Sequence, residues 1–267
     1  MKHVKAVIFD WAGTVVDFGS LAPMGAFVAT FAEFGVEVSI EEARGPMGMA
    51  KRPHVAAILA LPRVAAAWAE KHGRSPTAAD IDAVHDAFVP RNIAVAAAHA
   101  DLIPGVAQTV KFLRAEGLRI GSSTGYTREI MAKITPRAAE QGFAPDSLVC
   151  AGDTIEGRPS PLMFYKGLID MGVWPAWSAI KVDDTTVGVA EGINAGAWSI
   201  GVAVSGNAFG LSLADAKALA PEEFLSRRAR AYDSLYAAGA HEVIDTVADL
   251  APVVARIEGR LARGDRP

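Results

Sequence analysis

Asp10 stands at the end of the run Val4-Lys5-Ala6-Val7-Ile8-Phe9 and is followed by Trp11-Ala12-Gly13-Thr14. A short, mostly apolar run reads as a buried strand and the residues behind it as a tight turn, so the Asp10 carboxylate projects above a sheet edge, where it suits a nucleophile. Asp183-Asp184 follows a second such run, Ala179 to Val182. Neighbouring parallel strands bring the two acidic sites within reach of one divalent cation, and hard oxygen ligands favour magnesium. Ser122-Ser123-Thr124-Gly125 ends a third run and offers a hydroxyl and backbone N–H groups ahead of a helix, a setting that suits an oxyanion. Arg158, in Gly157-Arg158-Pro159-Ser160-Pro161, adds a cation that the spacing puts at a helix start. Carboxylate, metal, donors and fixed positive charge together describe a site for phosphoryl chemistry.

Such a site needs strands that end side by side. Runs with the look of buried strands recur at Leu118 to Ser123, Ser147 to Ala151, Ala179 to Val182 and Ala197 to Val202, separated by helical stretches such as Arg128 to Gln141 and Leu162 to Met171. This alternation predicts an α/β fold with a parallel, Rossmann-like sheet, in which ligands bind at the carboxyl ends of the strands. The stretch from Leu21 to Ala100 breaks the pattern: it is Ala-rich, spaces Phe27, Phe31 and Phe34 helically, and contains no convincing strand. Ser39 with Glu42 and Thr77 with Asp80 mark helix starts. The expected organisation is a core of residues 1–20 and 100–267 with an inserted helical cap at 21–99, entered near Gly19 and left near Pro104. Leu213 to Ala238 reads as mostly helical, Glu242 to Ile244 as a short strand and Thr246 to Leu261 as a closing helix.

Composition limits the partners. The chain has 267 residues, with 51% hydrophobic and 21% charged, so it can bury a core and does not match the signature of a disordered chain. Its net charge of -4 comes without a basic stripe, which makes nucleic acid an unsuitable partner. A single cysteine, Cys150, permits no intrachain disulfide and no thiolate zinc site. The apolar run at the N-terminus is too short for a signal peptide, and no stretch approaches the ~20 apolar residues of a membrane span. A soluble, cytoplasmic protein acting on a small molecule is expected, with no membrane partner.

The order of Asp10, Thr124, Arg158 and Asp183-Asp184 resembles the haloacid dehalogenase superfamily, whose members carry a nucleophilic Asp after the first strand, then a Ser/Thr, a Lys/Arg and a late acidic motif. The resemblance implies that Asp10 is the nucleophile and that Thr124 and Arg158 bind the phosphoryl group. It further implies that Asp184, Asp10 and the Ala12 carbonyl hold magnesium, and that residues 21–99 form the superfamily's mobile cap. Phosphatases of this superfamily place a second Asp two positions after the nucleophile as general acid, and this chain has Ala12 there.

Within the superfamily, the segment Gly45-Pro46-Met47-Gly48-Met49-Ala50-Lys51-Arg52-Pro53-His54 resembles the phosphonatase (phosphonoacetaldehyde hydrolase) family. The likeness extends through Thr124-Gly125-Tyr126-Thr127 and Gly239-Ala240-His241. The resemblance implies a hydrolase that splits a carbon-phosphorus bond, with Met47, Gly48, Gly125 and Tyr126 lining the substrate pocket and a homodimer as the assembly. The chemistry is consistent. A carbanion is too poor a leaving group, but a Lys51 imine lets the carbon depart as a neutral enamine, and no acid is then needed at Ala12. An imine at neutral pH requires a lysine pKa well below ~10.4, through burial or nearby positive charge, for which Arg158, Arg52 and magnesium are the candidates. Lys51 is expected near a helix start and aimed inward, with Pro53 in the first turn and His54 on the same face as a proton shuttle.

One departure from the superfamily pattern stands out. Many members carry a further acid about four positions after the late metal Asp, where this chain has Gly188; Asp183 is the expected substitute. Gly152 to Arg158 has P-loop spacing, but Arg158 and Pro159 replace the Lys and hydroxyl residue it needs. Two alternatives stay open: a haloacid dehalogenase, which attacks carbon without a metal, and a non-catalytic binding protein on the same fold.

Overall fold

The computed structural model describes residues 1–267. Strand β1 (Ala6–Phe9) is followed by five helices, α1 (Ala22–Glu33), α2 (Ile40–Arg44), α3 (Lys51–Leu59), α4 (Pro62–His72) and α5 (Ala78–Ala96). Then come α6 (Val106–Ala115), β2 (Arg119–Ser123), α7 (Arg128–Glu140), β3 (Ser147–Val149), α8 (Leu162–Met171), β4 (Ala179–Asp183), α9 (Thr186–Asn194) and β5 (Trp198–Val202). The chain closes with α10 (Leu213–Ala218), α11 (Pro221–Ala237), β6 (Glu242–Ile244) and α12 (Leu250–Ala262). The six strands form one parallel sheet in the order β3-β2-β1-β4-β5-β6. The predicted α/β fold is the observed one. No helix is long and apolar enough to cross a membrane.

Ends differ from the sequence reading for local reasons. β1 spans Ala6–Phe9 and excludes Val4: the N–H groups of Lys2, His3 and Val4 donate to the Glu258 carboxylate, and backbone bonds to the neighbouring segments begin at Lys5, with Ser178 and Arg119. The helical stretch after Leu213 breaks into two, with Leu219 and Ala220 extended ahead of Pro221, the conformation a residue before proline is pushed toward. Both expected helix starts, Ser39 with Glu42 and Thr77 with Asp80, are present, each as a capping box.

The sheet has two unlike faces. Val7, Phe9, Ile120, Ile180, Val182, Ile200 and Val202 point to one side and pack under α6, α7 and α12 in the largest apolar cluster. The other face carries Ala6, Ile8 and Ala179 under α8. By strand alternation it also carries Gly121, Ser123, Lys181, Asp183 and Ser199, a polar run near the carboxyl ends. Helices α1 to α5 hold a separate cluster that includes Phe27, Phe31, Val55, Ile58, Trp68 and Phe88, so the helical insertion has its own core.

Lys181 is fully buried within the sheet. Its ammonium donates to Ser123 Oγ at 2.7 Å and pairs with Glu191 of α9 at 2.8 Å and Asp183 at 3.1 Å. Removing one partner of a buried ion pair leaves the other uncompensated. Lys181→Met is therefore expected to lower unfolding free energy by roughly 3–5 kcal/mol, and adding Glu191→Gln should recover part of that loss. Urea denaturation of the single and double variants followed by circular dichroism measures both, and additive losses would deny the coupling.

Candidate active site

The carboxyl ends of β1, β2 and β4 lie side by side, and the residues that follow them meet beneath the helical insertion. Asp10, Ala12, Thr124, Gly125, Tyr126, Arg158 and Thr185 of the sheet side line one small pocket with Met47, Gly48, Met49 and Lys51 of the insertion. The residues singled out in the sequence thus converge, except His54, which stands behind Lys51, and the Asp183-Asp184 pair, whose carboxylates lie beside Asp10 without lining the pocket. Arg158 is corrected in one respect: it lies in the turn before Pro159, while α8 starts at Leu162, so no helix end positions it.

Ion pairs position Arg158 instead. Nη1 donates to Asp10 Oδ1 at 2.7 Å and sits 3.2 Å from Asp183 Oδ2, Nε donates to Glu191 at 3.1 Å, and Nη2 donates to Ser123 Oγ and to the Ser123 carbonyl. These partners raise its pKa despite burial. A guanidinium with fixed fork geometry holds all of them in one arrangement, which a lysine there would not.

Asp10, Asp183 and Asp184 each present an oxygen within 4.8 Å of the others. Burial, and then the neighbouring carboxylates, push the pKa of Asp10 and Asp184 up. Asp183 goes the other way: burial opposes its ionisation, but Arg158, Lys181 and donation from the Thr185 N–H and hydroxyl hold it low. Asp10, Asp183 and Glu191 pair with Arg158 and Lys181, and Asp184 adds a fourth carboxylate without an ion pair; with all four ionised, the set exceeds those two cations by two negative charges, which one divalent cation neutralises. The oxygen donor set fits such an ion. Asp184 is aimed by Thr14 Oγ1, donating at 3.2 Å, and by the Asn207 N–H at 2.8 Å.

Gly188 explains the missing acid. A Cβ there would lie 2.0 Å from the Asp183 carboxylate, so the space a side chain would need is already filled. Gly48 and Gly125 permit a different close approach. Gly48 has φ +92° and a Cβ on it would meet Thr185 Oγ1 at 2.3 Å, while one on Gly125 would meet the Met49 carbonyl at 2.7 Å. Only glycine lets the segment before Lys51 press this closely onto the sheet side.

Lys51 begins α3 and is 4% exposed, with its ammonium over the rings of Tyr126 at 4.9 Å and Phe27 at 5.6 Å. Burial is the main cause that lowers its pKa to about 8; the Asp10 carboxylate opposes the shift and the Arg158 charge adds to it. The expectation that Arg52 contributes is overturned: its side chain points to solvent and pairs with Asp82 at 2.6 Å. His54 is fully buried against Phe27, with Nε2 2.7 Å from the Ala43 carbonyl and Nδ1 unpartnered. Burial and then Lys51 push its pKa down to about 3, so the ring is neutral and Nε2 carries the proton. Thr124 is buried and its hydroxyl accepts from the Tyr126 N–H at 3.1 Å. His241 lies apart from this site, accepting from the Ser199 N–H at 2.9 Å between β5 and β6.

Sequence reasoning missed Lys181, Glu191 and Asn207, and named Ser123 in its motif without a role of its own. Lys181 had a readable signal, because two positions before Asp183 on a strand share its face. Glu191 is a single charge in the small and apolar run Val187 to Ile193. Asn207 lies on a loop far from Asp184 in sequence and carried no signal.

Comparison with known proteins identifies the family. The haloacid dehalogenase-like hydrolase family matches residues 4–196. Phosphonoacetaldehyde hydrolase of Paraburkholderia phytofirmans is 69% identical over the full length of both chains, and that of Klebsiella pneumoniae 48% identical, again over both full lengths. A phosphonoacetaldehyde hydrolase-like protein from Oleispira antarctica superposes with a TM-score of 0.98 at 43% identity, covering 99% of this chain and 96% of that one. A β-phosphoglucomutase from Clostridium difficile, at 15% identity and a TM-score of 0.68, shares the fold alone. Match length and site composition together make this chain a member of the phosphonoacetaldehyde hydrolase family, within the haloacid dehalogenase-like hydrolases.

Proposed function

We propose that the protein hydrolyses phosphonoacetaldehyde to acetaldehyde and phosphate, with Lys51 as an electron sink and Asp10 as the nucleophile. The observation that carries this reading is a buried lysine set over two aromatic rings, without an ion pair, in the same small pocket as Asp10, Thr124 and Arg158. A structural lysine would be paired or solvated. This one is held where its neutral amine is accessible near pH 8.

The free amine of Lys51 adds to the aldehyde carbon, and loss of water leaves a protonated imine next to the carbon that bears phosphorus. An Asp10 oxygen then forms a bond to phosphorus while the carbon-phosphorus bond breaks, its electron pair moving into the iminium to give a neutral enamine. Protonation of that carbon and hydrolysis release acetaldehyde and restore Lys51. Water cleaves the aspartyl phosphate, releasing phosphate and Asp10. No proton is needed as the carbon departs, which accounts for the Ala12 methyl group where phosphatases carry an acid. Thr124 and Arg158 hold the phosphoryl oxygens, and Met47, Gly48, Gly125 and Tyr126 enclose the two-carbon arm. His54 Nδ1 is the free atom that can relay protons around the imine, with the ring held by Nε2 on the Ala43 carbonyl.

Asp10, Asp184 and the Ala12 carbonyl, with Asp183 behind them, would hold magnesium, which supplies charge neutralisation for an anionic phosphonate approaching an anionic carboxylate. The helices of residues 21–99 act as a cap that opens for substrate.

Lys51→Arg keeps the charge but cannot form the imine, so phosphate release should fall by at least about 10³-fold. Borohydride added with substrate should reductively alkylate Lys51 alone, as read by peptide mass spectrometry. Turnover by the arginine variant at the native rate would end the imine reading. Treatment with a chelator should abolish phosphate release and magnesium should restore it; full activity in excess chelator would favour the metal-free alternative. Because only the neutral amine is a nucleophile, acylation of Lys51 should rise with pH and level off above about 8, whereas an ordinary lysine levels off above ~10.4. The charged and titratable groups facing it are Asp10, Arg158, His54 and Tyr126.

A further inference from the structure

Arg44, the last residue of α2, leaves the helical insertion and reaches the sheet side. Nη1 donates to the Gly19 carbonyl at 2.9 Å, to the Asn207 carbonyl at 3.2 Å and to Asn207 Oδ1 at 3.0 Å, and Nη2 donates to the Gly210 carbonyl at 3.1 Å. Asn207 Nδ2 donates back to the Arg44 carbonyl at 3.3 Å. All of these acceptors are neutral, and they sit on two separate segments, the one that enters the insertion and the loop after β5. The fit is tight, since a Cβ on Gly210 would come within 3.0 Å of the guanidinium carbon.

The same loop touches the metal-site floor. The Asn207 N–H donates to Asp184 Oδ2, and a Cβ on Gly206 would lie 2.6 Å from Asp184 Cβ, so the loop is pressed against that side chain. Between Arg44 and Asp184 lies a cavity of ≈ 320 Å³, also lined by Met47 and Thr185, which leaves the Asn207 contact as the shown link between the two.

We infer that Arg44 is a latch and a positioning residue: it holds the helical cap shut and, through Asn207, keeps Asp184 aimed for the divalent cation. This rests on the reading of Asp184 as a metal ligand. If the cap swings away, the guanidinium leaves its carbonyls, the loop relaxes, and the N–H that orients Asp184 is no longer held. Linkage then runs both ways, so cation binding at Asp184 favours the closed cap as closure favours the cation.

The sign of the effect separates a latch from a mere charge. As a positive group near Asp184, Arg44 would repel a cation, and its removal would tighten binding. As a latch, its removal weakens binding. Two measurements on the full chain decide, both without substrate: Mn²⁺ affinity by titration calorimetry, and the acylation rate of Lys51 by acetic anhydride in metal-free buffer. Arg44→Ala should weaken Mn²⁺ binding by about fivefold or more and speed Lys51 acylation by a similar factor. Arg44→Lys, which keeps the charge but cannot reach the spread acceptors, should behave like the alanine variant. Asn207→Ala retains the N–H to Asp184 but loses the side-chain contacts, so its shifts should be smaller in the same direction. It also carries the test if Arg44→Ala does not fold. Unchanged acylation, or Mn²⁺ binding that is unchanged or tighter, would overturn the latch. If Asp184→Asn binds Mn²⁺ as the native protein does, the metal-ligand reading fails instead.

Discussion

Charge that is buried must be compensated, and the active end of this molecule is arranged around that requirement. Asp10, Asp183 and Glu191 converge on Arg158, while Lys181 supports Asp183 and Glu191 from within the sheet. Asp184 adds a further carboxylate with only neutral donors, Thr14 and Asn207. The set is therefore left negative, a poor state for a folded interior and a good one for a divalent cation. Small residues follow from the same constraint. Gly188 leaves room for the Asp183 carboxylate, and the sheet face beneath the site uses serine, glycine and lysine where the opposite face uses valine, isoleucine and phenylalanine.

Lys51 obeys the opposite logic. It is buried without a close counter-ion, so its charged form is disfavoured and its neutral amine is populated near physiological pH. The two environments lie a few residues apart in space, but they are built by different parts of the chain. The sheet side supplies paired charge, and the insertion supplies an apolar, aromatic wall from Phe27 that meets Tyr126 of the sheet side. Packing of the insertion against the sheet side puts the amine in the same pocket as the carboxylate. Glycines at 48 and 125 permit that close contact and Arg44 fastens it.

Much of the site was legible because its chemistry is local. Strand runs that end in Asp10, Thr124 and Asp183-Asp184 announce both their burial and their common edge, and the observed register of β1 with β2 and β4 places those ends together. Ala12 and Lys51 drew notice only through the resemblance, since a missing acid has meaning only against relatives that carry one. Less legible were the features that depend on direction. The neighbours of Arg52 in sequence gave no sign that it turns to Asp82, or that Arg158 is held by ion pairs instead of a helix end.

Periodicity and residue type determined the parallel sheet, the helical insertion and the acidic groups at the strand ends, since each depends on a few adjacent residues, while the groups of the insertion that face the pocket were legible only through the family resemblance of residues 45–54. Tertiary structure alone decided the pairing of Lys181 with Glu191, the hold of Asn207 on Asp184 and the reach of Arg44 across the site. Those contacts join residues between 10 and about 160 positions apart, and a hydrogen bond requires its atoms within about 3 Å. Spacing along a chain carries no information at that scale until the strands have paired and the insertion has settled onto them.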